Sequence, residues 1–141
     1  MKNIFITMLS SFLLIFACNK DKVTKVSLPE GFIENDWDAA LKGANDNNRQ
    51  IVVHFYKPNC SLCKDFRENV LNNEEIETYI KNNFIGASIN ANEGSGLTLS
   101  TDYNIGGTPG MAIINKDGTL KAKRLGKINA TDFLNWVKEN K

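Results

Sequence analysis

The stretch Cys60–Cys63 reads Cys-Ser-Leu-Cys and lies between an apolar run and a helical pattern. The run, residues 51–56, is β-branched and aromatic, which predicts a strand buried on both faces. A spacing of three residues places both sulfurs on one face of the first helical turn, close enough for a small disulfide ring. A C-x-x-C pair at a strand-to-helix junction is typical of a redox site.

The two cysteines are expected to differ in reactivity. Pro58 interrupts the strand, and Asn59 is suited to cap the following helix. Cys60 then lies at or just before the first helical residue, where unpaired amides and the helix dipole favour a thiolate. Cys63, one turn further along, is better shielded and is suited to resolve a mixed disulfide.

Two other uses of the pair are a structural disulfide and half of a zinc site. A zinc site needs more ligands, and the chain has only three cysteines and one histidine in all. Redox activity is therefore the favoured interpretation.

The length and charge of the chain argue against a second domain and a nucleic-acid partner, and they exclude no other function class. Its 141 residues are enough for one domain with a core but not for two. Its 17 basic and 16 acidic residues nearly cancel, and no basic stripe indicates a nucleic-acid partner.

The N-terminus has the layout of an export signal. Lys2 supplies positive charge and Ile4–Ala17 is apolar or hydroxylic, but shorter than the roughly 20 residues of a spanning helix. Residues 1–17 are therefore predicted to be a signal peptide. Residues 19–30 lack helical periodicity, so residues 18–32 are predicted to be a tether that starts at Cys18, with a domain over 33–141.

The end of that signal, Leu14–Cys18, resembles the bacterial lipobox, with Ile15 and Ala17 at the aliphatic and small positions. The resemblance implies cleavage before Cys18 and lipidation of its sulfur and new amino group. The alternative is ordinary cleavage nearby, which leaves Cys18 as an odd free thiol. Lipidation also explains why there are three cysteines rather than two.

The rest of the chain alternates predicted helices and strands. Asn35 and Asn129 are predicted helix caps. After the cysteine-bearing helix, which runs through Phe66 and Val70, the predicted elements are a helix starting at Asn72–Glu75, a strand Phe84–Ile89, a loop Asn90–Gly96, a short helix Leu97–Tyr103, a hairpin Met111–Ile114 with Leu120–Arg124, and a last helix with Phe133, Trp136 and Val137 inward.

This order resembles the α/β thioredoxin fold over residues 33–140. The resemblance is carried by Cys60–Cys63 and by Tyr103–Pro109, which reads Tyr-Asn-Ile-Gly-Gly-Thr-Pro. It implies a central mixed sheet flanked by helices, with a cis Thr108–Pro109 bond opposite the cysteines. The backbone of Thr108 could then pair with an extended substrate chain. Thr108, Pro109 and Asn59 are the predicted substrate-binding residues.

Four positions depart from the family pattern. His54 stands where related thioredoxins carry a buried Asp, Asn59 replaces a Trp, and Ser61-Leu62 replaces Gly-Pro. His54 could shuttle a proton for Cys63, or it could be a hydrogen-bonded core residue, and both interpretations stay open. If protonated, it would stabilise a thiolate and push the couple toward oxidant.

The resulting hypothesis is a lipid-anchored thiol–disulfide oxidoreductase of the bacterial cell envelope. Trp37, Lys64 and the Thr-Pro pair make it resemble compact periplasmic thioredoxin-like domains, including the terminal domain of DsbD-type reductases. That resemblance implies a reductive role, no organic cofactor, and electrons supplied by another protein, such as a membrane reductant conduit. The substrates would be protein disulfides.

Two alternatives belong to other classes. A metallochaperone could hold copper through Cys60, Cys63 and His54, since soft sulfur ligands suit Cu(I). Against it, His54 lies on the preceding strand, whereas copper carriers of this fold place theirs in the loop before the cis-proline. A non-catalytic binding module would keep the fold and use only its groove.

Overall fold

The computed structural model describes residues 27–141, so the predicted signal peptide, Cys18 and most of the predicted tether lie outside it. Within the described residues, no helix has both the length and the apolar character needed to cross a membrane. The elements are β1 (Phe32–Glu34), α1 (Trp37–Asn47), β2 (Gln50–Tyr56), α2 (Ser61–Phe66) with a π-helical turn at Arg67–Leu71, α3 (Glu74–Asn83), β3 (Phe84–Asn90), α4 (Gly94–Asp102), β4 (Gly110–Ile114), β5 (Leu120–Leu125) and α5 (Ala130–Glu139).

The five strands form one mixed sheet in the order β1-β3-β2-β4-β5. Strand β3 pairs in parallel with β1 and β2, whereas β4 is antiparallel to both β2 and β5. His54, on the central strand β2, is in register with Ser88 of β3 and Met111 of β4. A mixed sheet flanked by helices, with the cysteine pair at a helix start, confirms the predicted thioredoxin fold.

The two faces of the sheet pack against different helices, and alternate residues of β2 point to each. Val52 joins a cluster with Phe66 and Phe133, under α2, α3 and α5. We call this side, which also carries His54 and Ser88, the α2 face. Other buried residues on the α2 face are Val70, Leu71, Ile76, Ile80, Met111 and Ile113. The buried residues on the opposite side, which we call the α1 face, include Ala40, Ala44, Ile51, Val53, Phe55, Ile89, Leu99, Ala112 and Ile114.

The start of α1 differs from the prediction. Asp36, rather than Asn35, caps the helix, and its Oδ1 accepts a hydrogen bond from the backbone N–H of Ala39 at 2.9 Å. Asn35 has a positive φ of 53°, which asparagine tolerates better than most residues. Its Oδ1 accepts from the N–H of Asn90 at 2.7 Å, so it ties the start of α1 to β3 instead. The predicted cap Asn129 does hold the start of α5.

The sequence predicts no strand at β1, and it assigns the residues before Ile33 to the tether. Phe32–Glu34 is an edge strand of only three residues, too short to show a sequence period. Ahead of it, the carbonyl of Ser27 accepts from Asn72 Nδ2 at 3.2 Å, and Glu30 forms an ion pair with Lys81 at 2.6 Å. Residues 27–32 therefore contact the domain, although they were expected in the tether.

Helix α4 begins three residues earlier than predicted, inside the polar stretch expected to be a loop. Gly96 explains the difference, because a Cβ built there would lie 2.0 Å from the carbonyl oxygen of Asn90. The glycine that reads as a loop residue instead allows the helix to pack closely on the end of β3.

Candidate active site

The cysteine pair lies where β2 leaves the sheet. After Tyr56 the chain passes through exposed Pro58 and Asn59, and α2 begins immediately after Cys60. Cys60 itself is the N-cap: its Sγ accepts a hydrogen bond from the N–H of Cys63 at 3.1 Å. The predicted cap Asn59 is wrong, because the sulfur takes that place and Asn59 is left at the surface.

Cys60 and Cys63 form a disulfide whose Cα atoms are 5.2 Å apart. Their exposure is unequal, since Cys63 is only 3% exposed and Cys60 is partly accessible. The N–H that points at Cys60 Sγ is oriented to stabilise a thiolate there once the bond is reduced. The geometry is that of an outer nucleophile and an inner resolving thiol.

The loop before β4 faces this pair. The Thr108–Pro109 peptide bond is cis, and the hydroxyl of Thr108 donates to Cys60 Sγ at 3.7 Å. The carbonyl of Pro109 is occupied by the N–H of Gly126 at 2.9 Å. Thr108, by contrast, makes no backbone hydrogen bond within residues 27–141. Its peptide groups are therefore available beside the reactive sulfur.

Apolar and open surface surrounds the loop. Leu62, between the cysteines, is 47% exposed, and Leu125, beside Gly106, is 48% exposed. A groove of about 340 Å³ also runs along the loop, with Lys57 and Thr108 in its lining. These features allow a polypeptide to approach Cys60.

His54 is buried under the helix that carries the cysteines, with 1% of its surface exposed. Its ring centroid lies 5.2 Å from that of Phe66 on α2 and 5.9 Å from that of Tyr56. Its Nδ1 is 3.1 Å from Ser88 Oγ, whereas Nε2 has no hydrogen-bond partner among the described residues.

The charge state of His54 follows from this burial. Desolvation first, and the nearby Arg67 guanidinium second, lower the pKa of His54 to about 3. The imidazole is therefore neutral near pH 7, and the case of a protonated His54 that pushes the couple toward oxidant does not arise in the oxidised protein.

Arg67 connects His54 to the edge strand. Its Nη2 donates to Ser88 Oγ at 3.2 Å, its Nη1 lies 3.8 Å from Glu34 Oε1, and its guanidinium carbon lies 5.0 Å from the centre of the Tyr56 ring. Sequence reasoning misses Ser88 and Arg67. Ser88 had one usable signal, since it is a polar residue inside an otherwise apolar strand; Arg67 had none, because its direction depends on the π-helical turn.

Potential metal ligands are not grouped in the part of the chain that the structure describes. No cluster of three or more His, Cys, Asp or Glu side chains there has the geometry of a metal site.

Comparison with known proteins gives a consistent result. Residues 37–141 match the model of the thioredoxin-like domain family. The curated thiol:disulfide interchange protein DsbD of Neisseria meningitidis is 28% identical over 110 residues, which are 73% of this chain but only 18% of that protein. The chain thus spans less than a fifth of the length of that relative.

Two solved structures show where the likeness lies. The oxidised C-terminal domain of Neisseria meningitidis DsbD is 27% identical, with a TM-score of 0.60 over 77% of this chain and 100% of that domain. A Thermus thermophilus thioredoxin at 21% identity has a TM-score of 0.68 over 77% of this chain and 86% of that one, and supports the fold alone. With its C-x-x-C pair at the start of α2, the chain belongs to the thioredoxin-like domain family.

Proposed function

We propose that this protein is an exported, lipid-anchored oxidoreductase that reduces protein disulfides in the bacterial cell envelope. The observation that carries the redox part is the unequal pair: Cys60 is accessible and held by a helix-start N–H, and Cys63 is buried next to it. The similarity to the C-terminal domain of DsbD supports the reductive direction.

In the proposed reaction, the Cys60 thiolate attacks one sulfur of a substrate disulfide and releases the other as a thiolate, which takes a proton from water. Cys63 then loses its proton, attacks Cys60 Sγ and releases the second substrate thiol. The substrate gains two electrons and two protons, and the Cys60–Cys63 disulfide is left behind. A protein dithiol, which we assign to a membrane reductant, restores the reduced pair.

Substrate binding is assigned to the loop before β4. The unpaired peptide groups of Thr108 can hydrogen-bond an extended chain in the manner of an added strand. Pro109 fixes the loop without offering a donor, and exposed Asn59 directly precedes Cys60. Selectivity then comes from access to a disulfide rather than from a deep side-chain pocket.

Activity is tested by reduction of insulin disulfides in the presence of dithiothreitol. Wild type should accelerate the reaction, Cys60→Ser should fall to the uncatalysed rate, and Cys63→Ser should accumulate a mixed disulfide. Cys18→Ser is the matched control and should keep full activity. Equal rates for wild type and Cys60→Ser would refute the catalytic proposal and favour a binding module.

The direction is tested by the reduction potential of the Cys60/Cys63 couple against glutathione. A reductant should equilibrate nearer to the potential of thioredoxin, about −270 mV, than to that of the oxidant DsbA, about −120 mV. A value close to the latter would reverse the proposed direction while leaving the activity intact.

The anchor is tested by fractionation of cells that express the full chain. Cys18→Ala should move the protein from membranes to the soluble envelope fraction, because a neutral body has little electrostatic attraction to lipid. Retention on membranes would refute lipidation at Cys18.

A further inference from the structure

The hydroxyl group of Ser88 has two hydrogen-bond partners, His54 and Arg67, and Arg67 can act only as a donor. Ser88 Oγ lies 3.2 Å from Arg67 Nη2 and 3.1 Å from His54 Nδ1. A guanidinium can donate but cannot accept. The hydroxyl proton of Ser88, which is fully buried, therefore has a single acceptor within residues 27–141, and that acceptor is His54 Nδ1.

This arrangement favours one tautomer of His54, the one in which Nδ1 accepts. A neutral imidazole carries one proton, and if Nδ1 accepts from Ser88, the proton is on Nε2. Nε2 is also the buried atom that lacks a partner among the described residues. The oxidised protein thus keeps a buried N–H donor unsatisfied, which is unfavourable unless another state of the site supplies an acceptor.

The position of His54 indicates which acceptor this is. His54 lies on the α2 face and contacts Phe66 of α2, with ring centroids 5.2 Å apart. Cys63 is one turn before Phe66 on the same inward side of α2, and both residues are buried. In the disulfide, Cys63 Sγ is bonded to Cys60. Reduction frees that sulfur as a thiol, and the loss of its proton during disulfide exchange gives it the negative charge that an N–H donor stabilises.

We propose that Arg67 and Ser88 hold His54 in the neutral Nε2–H form, and that this N–H donates a hydrogen bond to the Cys63 thiolate formed during disulfide exchange. The assignment of the N–H to Cys63 rests on the proposed function; the tautomer itself does not. Arg67 and Ser88 are positioning residues in this scheme, because they act through His54.

The scheme changes the proton balance expected of a histidine at this site. Nε2 already carries its proton, so His54 does not act as the base for the Cys63 thiol. That proton passes to water or to the substrate thiolate already released, and the Cys63 sulfur then bonds to Cys60 as the second substrate thiolate leaves. His54 is unchanged at the end, and its contribution is to stabilise the attacking thiolate.

The tautomer can be measured directly, because the chain has one histidine. Long-range ¹H–¹⁵N spectra of the labelled full chain at neutral pH should show the Nε2–H form both oxidised and reduced. The Nε2–H proton should shift and exchange more slowly in the reduced protein once the pH is raised far enough to ionise the Cys63 thiol. An Nδ1–H form in the wild type would overturn the proposal, and an N–H signal unaffected by reduction at that pH would overturn the contact with Cys63.

Variants separate the positioning of His54 from mere packing. Ser88→Ala removes the hydroxyl donor and should give a mixture of tautomers, whereas Ser88→Thr should restore the Nε2–H form. Arg67→Met should also give a mixture, because the Ser88 hydroxyl is no longer oriented. Unchanged spectra in Ser88→Ala would overturn the role of Ser88, and unchanged spectra in Arg67→Met would overturn that of Arg67.

The effect on Cys63 is read as a thiol pKa in the full chain carrying Cys18→Ser and Cys60→Ser, where Cys63 is the single thiol. Adding His54→Phe should lower the acid ionisation constant of Cys63 roughly tenfold, a rise of about one pKa unit. Thermal unfolding checks that both proteins are folded. An unchanged thiol pKa would overturn the donor role while leaving the oxidoreductase activity of the wild type untouched.

Discussion

The two faces of the sheet are built from the same strands and serve different purposes. On the α1 face, adjacent buried residues of β2 and β4 such as Val53, Ala112 and Ile114 are all apolar. On the α2 face, the same strands carry His54 and Met111, next to Ser88 of β3. The alternation of side chains along a strand thus separates a face used for packing from a face that reaches the cysteines.

This difference predicts which substitutions affect stability alone. On the α1 face, burial is the whole contribution, so a cavity should lower the free energy of unfolding without changing disulfide exchange in molecules that remain folded. On the α2 face near His54, a cavity should affect both.

The largest effect is expected from Ile114→Ala and Met111→Ala, two fully buried positions on opposite faces of β4. Each should lower the free energy of unfolding by about 2–5 kcal/mol, since each leaves a cavity. Only Met111→Ala, in register with His54, should also change the rate of disulfide exchange per folded molecule. Urea unfolding and the insulin assay give the two quantities.

Two results would contradict the predicted separation of the two faces. If Ile114→Ala alters the exchange rate as much as Met111→Ala at equal folded fraction, then the faces are not functionally separate. If neither alters it, the polar environment of His54 is insensitive to its packing.

A second effect, of the order of a few kcal/mol, concerns pH. The pKa of His54 is about 3 in the folded protein and about 6.5 when unfolded, so the unfolded state binds the extra proton between these values. The stability contributed by the neutral histidine is complete above pH 6.5 and is lost as the pH falls toward 3.

His54→Phe should flatten this part of the profile, measured by urea unfolding of the oxidised protein at a series of pH values. Carboxyl groups titrate in both proteins, and the difference between the profiles isolates the histidine. Parallel profiles for wild type and variant would show that His54 is not held neutral by burial.

A smaller pair of effects tests packing on the α1 face. Gly96→Ala places a Cβ against the backbone of Asn90 and should cost about 1–3 kcal/mol, because backbone cannot move aside cheaply. Gly43→Ala, in α1, meets only Ile85 at an ordinary 3.6 Å and should stabilise the protein by about 0.5–1 kcal/mol. Thermal unfolding compares them, and a Gly96→Ala protein as stable as wild type or more stable would refute the close contact of α4 with β3.

The sequence predicts the parts of the site that depend on local spacing. Cys60, Cys63 and the buried strand before them follow from a short motif, and the family resemblance extends this to the fold. Strand β1 is too short for a period to show. Asn35 and Asn59 were predicted as caps on residue type, which does not reveal that Asp36 and Cys60 are better placed.

The contacts of His54 could not be predicted from local sequence patterns. Ser88 is 34 residues away in the sequence and Arg67 lies beyond the cysteines, and the two meet at His54 only through strand register and the π-helical turn. From the sequence, His54 could be either a proton shuttle or a core residue. The contacts of Ser88 with His54 and Arg67 instead favour His54 as a hydrogen-bond donor through Nε2.

The unequal reactivity of the two sulfurs is most directly tested by alkylating the reduced protein with a limiting amount of iodoacetamide near neutral pH and locating the label by mass spectrometry. Cys60 should be modified far faster than Cys63, since it is accessible and faces the N–H of the first helical turn. Comparable rates at the two positions, or faster labelling of Cys63, would contradict the account.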